Sequence, residues 1–257
     1  MRRIRSIPVL LLARDGLVKT KSFANPRYLG DPINTVKILN EKMADELILL
    51  DIEATSNNHI QYNLIEDIAS EAFMPIAYGG GLTNVEQCAR IFSAGIEKVV
   101  VNNAAVAKPS LIREVAGRYG SQSIVASIDV RKDLWNRSKC FVRNATKNTR
   151  LTPVHLAKQC EALGAGELFV TSVAREGSFD GFDIELTRKI ADSVNIPVIA
   201  HGGAASTADF VQAVNYGRAS AVAAGSMFVF SGKGEGVLIS YPTQEQLKTH
   251  FWEQCMV

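Results

Sequence analysis

Short apolar runs alternate with segments of helical period eight times along the chain. Ile7 to Leu12, Glu46 to Asp51, Pro75 to Tyr78, Lys98 to Asn102, Ile124 to Asp129, Glu167 to Thr171, Pro197 to Ala200 and Ala221 to Ala224 read as strands. Runs this uniformly apolar must be buried on both faces, which is the habit of parallel sheets. Between them the spacing predicts helices near Pro32 to Met43, Leu64 to Ala72, Asn84 to Ala94, Pro109 to Tyr119, Pro153 to Leu163, Ile184 to Ser193 and Ala208 to Tyr216. A last helix falls near Gln244 to His250. Eight strand–helix units in a chain of 257 residues is the size of an α/β (β/α)8 TIM barrel. A doubly wound open sheet is the other arrangement that alternation allows.

An internal repeat favours the barrel. Pro75 to Gly81, PIAYGGG, aligns with Pro197 to Gly203, PVIAHGG, at a spacing of 122 residues. The alignment continues, with Asn84 to Ala94 matching Ala208 to Tyr216 and Val100 to Ala104 matching Val222 to Ser226. One half-barrel written twice explains this, whereas an open sheet does not require its second half to repeat the first. No Pro/Gly/Ser-rich linker separates the halves, so residues 1–257 are expected to form a single barrel domain.

In a barrel of this kind the loops after the strands carry the chemistry and those before the strands face the opposite, stability-determining end. Asp51, Asn102, Asn103, Asp129, Thr171, Ser172, Gly202 and Ser226 then fall on the catalytic face. Arg5, Glu46, Lys98 and Glu167 begin strands one, two, four and six at the other end. The twin turns Gly80–Gly81 and Gly202–Gly203 suit phosphate binding, because glycine lets backbone N–H groups converge on an anion. Each is followed one strand later by small polar residues, Asn102 and Asn103 or Gly225 and Ser226. Two such sites related by a half-turn fit a bisphosphorylated ligand; the bland alternative is that the glycines only permit tight turns.

Asp129 ends an apolar strand and delivers one carboxylate into the mouth, where a general acid or base is wanted; it could equally cap a turn or pair with Lys132. The connection Ala13 to Gly30 reads as a mobile flap over the mouth, within which Lys19 either closes over a phosphate or is a solvated loop lysine. Arg131 to Leu151, rich in Lys, Arg, Asn and Thr, reads as a solvated loop. His201 adjoins a glycine pair but has no triad or metal-ligand partners by spacing. The four alternating charges at the strand starts can close a ring of ion pairs, by default ordinary barrel-bottom salt bridges.

Composition narrows the partners. A net charge of +2 offers no nucleic-acid footprint. Cys88, Cys140, Cys160 and Cys255 show no CxxC and no ligand-like spacing with histidine, so no disulfide framework, metal or cofactor is expected. MRRIR followed by Ile7 to Ala13 imitates a signal peptide, but Pro8 interrupts the run, no small-x-small cleavage pattern follows, and Arg14 and Asp15 end it. A buried first strand explains those residues better. No other stretch is apolar enough to span a membrane, and cysteines without a disulfide framework make a reducing cytoplasm the simplest compartment.

The chain resembles the cyclase subunit of imidazole glycerol phosphate synthase over nearly its whole length. The resemblance is carried by IP near the start, DGLVK, GDP at Gly30 to Pro32, ADELILLDI, GGG, VVNNAAV, GSQSIVASIDV, GAGELFVTS, REGSFDGFD, IPVIAHGGA and GSMF. It implies a barrel that pairs with a glutaminase subunit as a heterodimer and receives ammonia through its core. The ammonia is then used on a bisphosphorylated ribulosyl aminoimidazole carboxamide, a step of histidine biosynthesis classed as a lyase reaction. The products are imidazole glycerol phosphate and an aminoimidazole carboxamide ribotide. By the same resemblance Asp129 is the fifth-strand catalytic aspartate and Lys19 the flap lysine. Gly80, Gly81, Asn102, Asn103, Gly177, Gly202, Gly203, Gly225 and Ser226 match the phosphate sites. Arg5, Glu46, Lys98 and Glu167 match the charged gate through which ammonia enters, and Glu97 stands where the family contacts the glutaminase.

The departures lie on the catalytic face. The family's first strand ends in Leu-Asp, whose aspartate faces the fifth-strand one; here IPVLLLARDG places Leu10 and Leu11 there, and Asp15 aligns with a separate Asp-Gly turn. Ala174 and Glu176 replace aspartates in the sixth loop, with Glu53 after the second strand and His201 before the glycines as further changes. Loss of one positioned acid–base group costs about 10²–10⁴ in rate. Three readings follow. The first is the cyclase, slowed or rearranged. In the second, a barrel without cyclisation passes ammonia from the glutaminase to a third protein, an amidotransferase acting on a sugar in surface polysaccharide (lipopolysaccharide) biosynthesis. The third, ranked last, is an aldose–ketose isomerase.

Overall fold

The computed structural model describes residues 3–14, 16–133, 135–232 and 236–256. Eight parallel strands close on themselves: β1 (Arg5–Ala13), β2 (Leu47–Asp51), β3 (Ile76–Gly79), β4 (Lys98–Val101), β5 (Ile124–Lys132), β6 (Glu167–Ser172), β7 (Val198–His201) and β8 (Ala221–Ala224). Each pairs with the next, and β8 pairs with β1 through Arg5↔Ala221 to Pro8↔Ala224. The chain is thus a TIM barrel, and the open-sheet alternative is excluded by that last pairing.

The uniformly apolar strands are buried on both sides, as the two-sided burial of β1 shows. Alternation still decides direction. Ile7, Val9 and Leu11 face the barrel interior with Ile48, Val100, Val125, Phe169 and Ile199, while Leu10 and Leu12 join the larger core beneath the helices. That outer layer is built by α1 (Pro32–Glu41), α2 (Tyr62–Glu71), α3 (Val85–Ser93), α4 (Ser110–Tyr119), α5 (Pro153–Ala162), α6 (Ile184–Ala191), α7 (Thr207–Asn215) and α8 (Gln244–His250). Several of their starts are chemically marked. Asp31 caps α1 through Asn34 N at 2.7 Å with Pro32 behind it, and Ser206 and Asp209 form a capping box on α7.

The repeat is a structural fact. β3 and β7 have the same length, as do α3 and α7, and both pairs are offset by 122 residues. Short helices follow β4 and β8 in the same way, Asn103–Ala107 and Ser226–Val229.

Two connections differ from expectation. The segment after β1 is an antiparallel ribbon, Gly16–Lys21 with Ala24–Gly30, that pairs back onto β1 through Leu11↔Val18. Lys19 within it is buried, not solvated. The Arg131 to Leu151 connection begins as a hairpin, in which β5 runs on to Lys132 and pairs with Ser138–Val142, burying Cys140 and Val142. Asp15 lies outside the described residues. Among the described residues no helix is long and apolar enough to cross a membrane, and all four cysteines are free and buried.

Candidate active site

The carboxyl ends of the strands surround a cavity of about 330 Å³. Leu11, Leu50, Val100 and Phe169 supply apolar wall, and Asp51, Asn102, Asn103, Ser127, Asp129, Thr171, Glu176 and His201 supply polar groups. Leu11, not Leu10, faces inward at the mouth end of β1 and sets an isobutyl group on the cavity wall. Ile52 and Ala54 extend the wall below the helix Ala54–Asn57, whose first turn is held by the Asp51 carboxylate at 2.8 Å from Ala54 N.

Asp129 is buried and points into this cavity. It does not pair with Lys132. Asn102 donates to its carboxylate at 3.1 Å and also to Ser127 O at 3.2 Å, and the Ser127 hydroxyl donates at 3.3 Å. Burial pushes its carboxyl up to about 7, against the hydrogen bonds from Ser127 and Thr171. A group poised there exchanges a proton near neutrality. Asn102, expected as a phosphate ligand, has its side chain engaged in holding this carboxylate.

The two glycine turns differ in openness. Gly80 (φ +138) and Gly81 (φ +68) border the main cavity beside Asn103 and Ala104. A Cβ on Gly80 would lie 2.6 Å from Asp51 O, so only glycine lets the turn pass that close. Gly177, Gly202, Gly203, Gly225 and Ser226 converge around a second space of about 10 Å³, roomy enough for about one water molecule. Glu176 and His201 line both spaces and form the partition.

Above that partition lies the ribbon. Lys19 ion-pairs with Glu176 and donates to Thr20 O at 2.7 Å, and its stem rests on Gly225, where a Cβ would meet Lys19 Cε at 2.8 Å. Burial draws the ammonium down to about 7, and the adjoining Glu176 carboxylate works against that. Glu176 also accepts from Thr20 Oγ1 and Phe23 N, each at 3.4 Å, which staples the ribbon to the loop after β6. The hairpin after β5, expected to be solvated, adds Arg143 and Asn144 to the cavity wall. Asn144 reaches across to Ile52 O at 2.7 Å.

Sequence reasoning missed Glu176 as a partner of Lys19 and undervalued His201. His201 is buried, its Nδ1 lies 3.1 Å from Thr171 Oγ1, and its ring stacks on Phe169 at 4.8 Å between centroids. Burial, then the Lys19 charge, pulls its imidazole down to about 3, so the ring is neutral at ordinary pH. The available signal was parity: His201 shares the inward face of β7 with Ile199.

At the opposite end the four strand-start charges do close a ring. Arg5 contacts both Glu46 and Glu167, and Lys98 bonds to Glu46 at 2.8 Å and Glu167 at 3.0 Å. Burial raises the Glu167 carboxyl, but Arg5 and Lys98 outweigh it and hold the group below its ordinary range. Glu97 is exposed on the same end and accepts from Ile76 N at 2.7 Å.

Comparison with known proteins places this architecture. The family described as "Histidine biosynthesis protein" matches residues 5–234. A Pseudomonas aeruginosa protein named "Putative imidazole glycerol phosphate synthase subunit hisF2" is 50% identical over 248 residues, covering 96% of this chain and 99% of that one. A Leptospira interrogans protein named "Putative imidazole glycerol phosphate synthase subunit HisF" is 42% identical over 254 residues, covering 98% and 100%. A Vibrio vulnificus protein, "Putative imidazole glycerol phosphate synthase subunit hisF3", is 44% identical over 250 residues, covering 96% of each. With the barrel, its mouth and these end-to-end likenesses together, the chain belongs to the histidine biosynthesis protein family, among the HisF-type subunits of imidazole glycerol phosphate synthase.

Proposed function

We propose that this barrel is a cyclase subunit of the imidazole glycerol phosphate synthase type, working on a bisphosphorylated ribulosyl aminoimidazole carboxamide with ammonia from a partner glutaminase. The observation that carries the reading is Asp129. It is one buried carboxylate, tuned to about 7, set between two glycine cradles at one end of a barrel whose other end is a ring of four charges. Gly80, Gly81 and Asn103 hold one phosphate of the ligand; Gly177, Gly202, Gly203, Gly225 and Ser226 hold the other, with Lys19 as its counter-charge once the ammonium leaves Glu176. Asp129 moves protons during ammonia addition and ring closure, and Asn102 orients it. Arg5, Glu46, Lys98 and Glu167 admit ammonia from the glutaminase, which docks near Glu97.

The test is turnover of that substrate by the purified protein in excess ammonium, compared with Asp129→Asn. The wild type is expected to form imidazole glycerol phosphate, and the variant to be slower by about 10²–10⁴. Absence of turnover in the wild type together with tight binding of a glutaminase subunit overturns the reading and leaves a barrel that only conducts ammonia.

A further inference from the structure

His201, Thr171 and Asp129 lie on one cross-strand row. The parallel register pairs Thr171 with Asp129 on β5 and with His201 on β7. Register-matched residues on neighbouring strands share a face at about 4.8 Å spacing, so the three side chains run side by side along the mouth. Thr171 Oγ1 lies 3.1 Å from His201 Nδ1, and the Thr171 hydroxyl, register-matched to Asp129, favours the ionised Asp129 carboxylate. A hydroxyl has a single proton; with that proton directed at Asp129, Nδ1 must carry its own hydrogen and donate it to Thr171. The lone pair then sits on Nε2, on the far edge of the ring. Stacking on Phe169 holds the ring plane, and the ring borders both the main cavity and the smaller cradle.

We propose that Asp129, Thr171 and His201 form a proton relay in which His201 Nε2 exchanges the proton with the ligand and Asp129 stores it, so that His201 supplies the acid–base position vacated at Leu11. The step balances without a charged ring. Nε2 takes a proton from the ligand, the Nδ1 proton passes to Thr171 Oγ1, and the Thr171 proton passes to Asp129. Reversal returns the proton in the next step. Before transfer the row carries one negative charge, on Asp129; afterwards it is neutral, and the imidazole is neutral throughout. This suits a site in which burial, with Lys19 from the ribbon, opposes an imidazolium while burial favours a protonated Asp129. The charged and titratable groups around the row are Lys19 and its partner Glu176, from the ribbon and the loop after β6, Asp51 and Arg143 in the wall of the same cavity, and the buried Cys140 thiol of the hairpin beside Asp129; Asn102, just after β4, touches only the Asp129 end.

The identity of the ligand rests on the reading given under Proposed function, so the first test needs no ligand. In protein carrying ¹⁵N-labelled histidine, with the His201 signals assigned through His201→Gln, the ring is expected to be protonated at Nδ1 at pH 8.5 and at Nε2 at pH 5.5 (test values chosen about 1.5 units either side of the Asp129 value). The switch is centred near the Asp129 value of about 7, and Asp129→Asn is expected to abolish it. A ring that charges over this range, or holds one tautomer throughout, overturns the relay. The second test is kinetic, with ammonium and the bisphosphorylated substrate. Thr171→Val and His201→Gln are each expected to lower kcat by about 10²-fold or more with little change in KM. The double variant should be no worse than either single one, because the residues act as one unit, and Thr171→Ser should regain most of the rate lost in Thr171→Val. Additive losses, or a His201→Gln enzyme within about twofold of wild type, sink the relay. A wild type without turnover sinks the assigned substrate and leaves the tautomer measurement to decide the relay.

Discussion

Asp129 is asked to be ionised for part of a catalytic cycle in a place that favours its neutral form, and the two demands pull rate and stability in opposite directions. Its folded value near 7 lies above the ordinary carboxylate value. The folded protein therefore holds a proton that the unfolded chain releases, and stability falls as pH rises from about 4 to about 7, then levels. Asp129→Asn removes that loss. Denaturant unfolding at pH 8 is expected to show the variant more stable by about 1–3 kcal/mol, although its turnover drops; equal or lower stability contradicts the buried-charge account. Leu11 makes the complementary case. Leu11→Asp sets a carboxylate against the apolar wall and costs roughly 1–3 kcal/mol, and if the relay holds it adds less than about tenfold to wild-type turnover while restoring part of the rate lost in His201→Gln. Asp129 could be read from the chain because an apolar strand ending in one acid advertises it. The contacts of Lys19, Glu176 and His201 could not, since an ion pair between residues 157 apart and a bond between neighbouring strands leave no local signature.

The strands and helices were legible because a barrel strand is buried on both faces and several helices are marked at their starts, by Asp31 and Pro32 on α1 or by Thr152 and Pro153 on α5. The ribbon Gly16–Lys21 was not. Its sequence, GLVKTK, carries a lysine and a threonine that pattern reading assigns to solvent, yet Lys19 and Thr20 are both buried, because Glu176 and the bare backbone at Gly225 receive them. The glycine turns were recognised, but their unequal openness follows from what packs over them, not from the glycines. Gly203 shows how tightly: at φ +107, a Cβ there would fall 2.2 Å from Gly181 O. Gly203→Ala is expected to destabilise the fold by roughly 2–5 kcal/mol, combining the left-handed backbone term with overpacking. A denaturation midpoint within error of wild type overturns this account. Gly117, where a Cβ meets nothing within 4 Å, is the contrasting position, and Gly117→Ala in α4 is expected to stabilise by about 0.5–1 kcal/mol.

Across the whole molecule, function depends on whether the ring at one end is linked to the mouth at the other. The two ends are separated by the barrel's own packed interior of Ile7, Val9, Ile48, Val125, Phe169 and Ile199 with small residues at Ala77, Ala221 and Ala223, so anything that crosses must be small and uncharged. On the proposed reading the species that crosses is ammonia, which is small and uncharged, and not ammonium. Lys98→Met separates a delivery role from a structural one. It removes both Lys98 bonds and leaves Glu46 and Glu167 sharing Arg5 alone. The Glu167 carboxyl then rises towards its ordinary range, and unfolding is expected to become easier by about 1–3 kcal/mol. With free ammonium as the nitrogen source, supplied at the mouth, turnover of the variant should stay within about twofold of wild type, since no mouth group has changed. With glutamine and the partner glutaminase, turnover should fall several-fold more than that, because the nitrogen must now pass an altered ring. Parallel losses with both nitrogen sources would reduce the ring to a structural clamp, and unequal losses would make it the entrance that the distant Asp129 depends on.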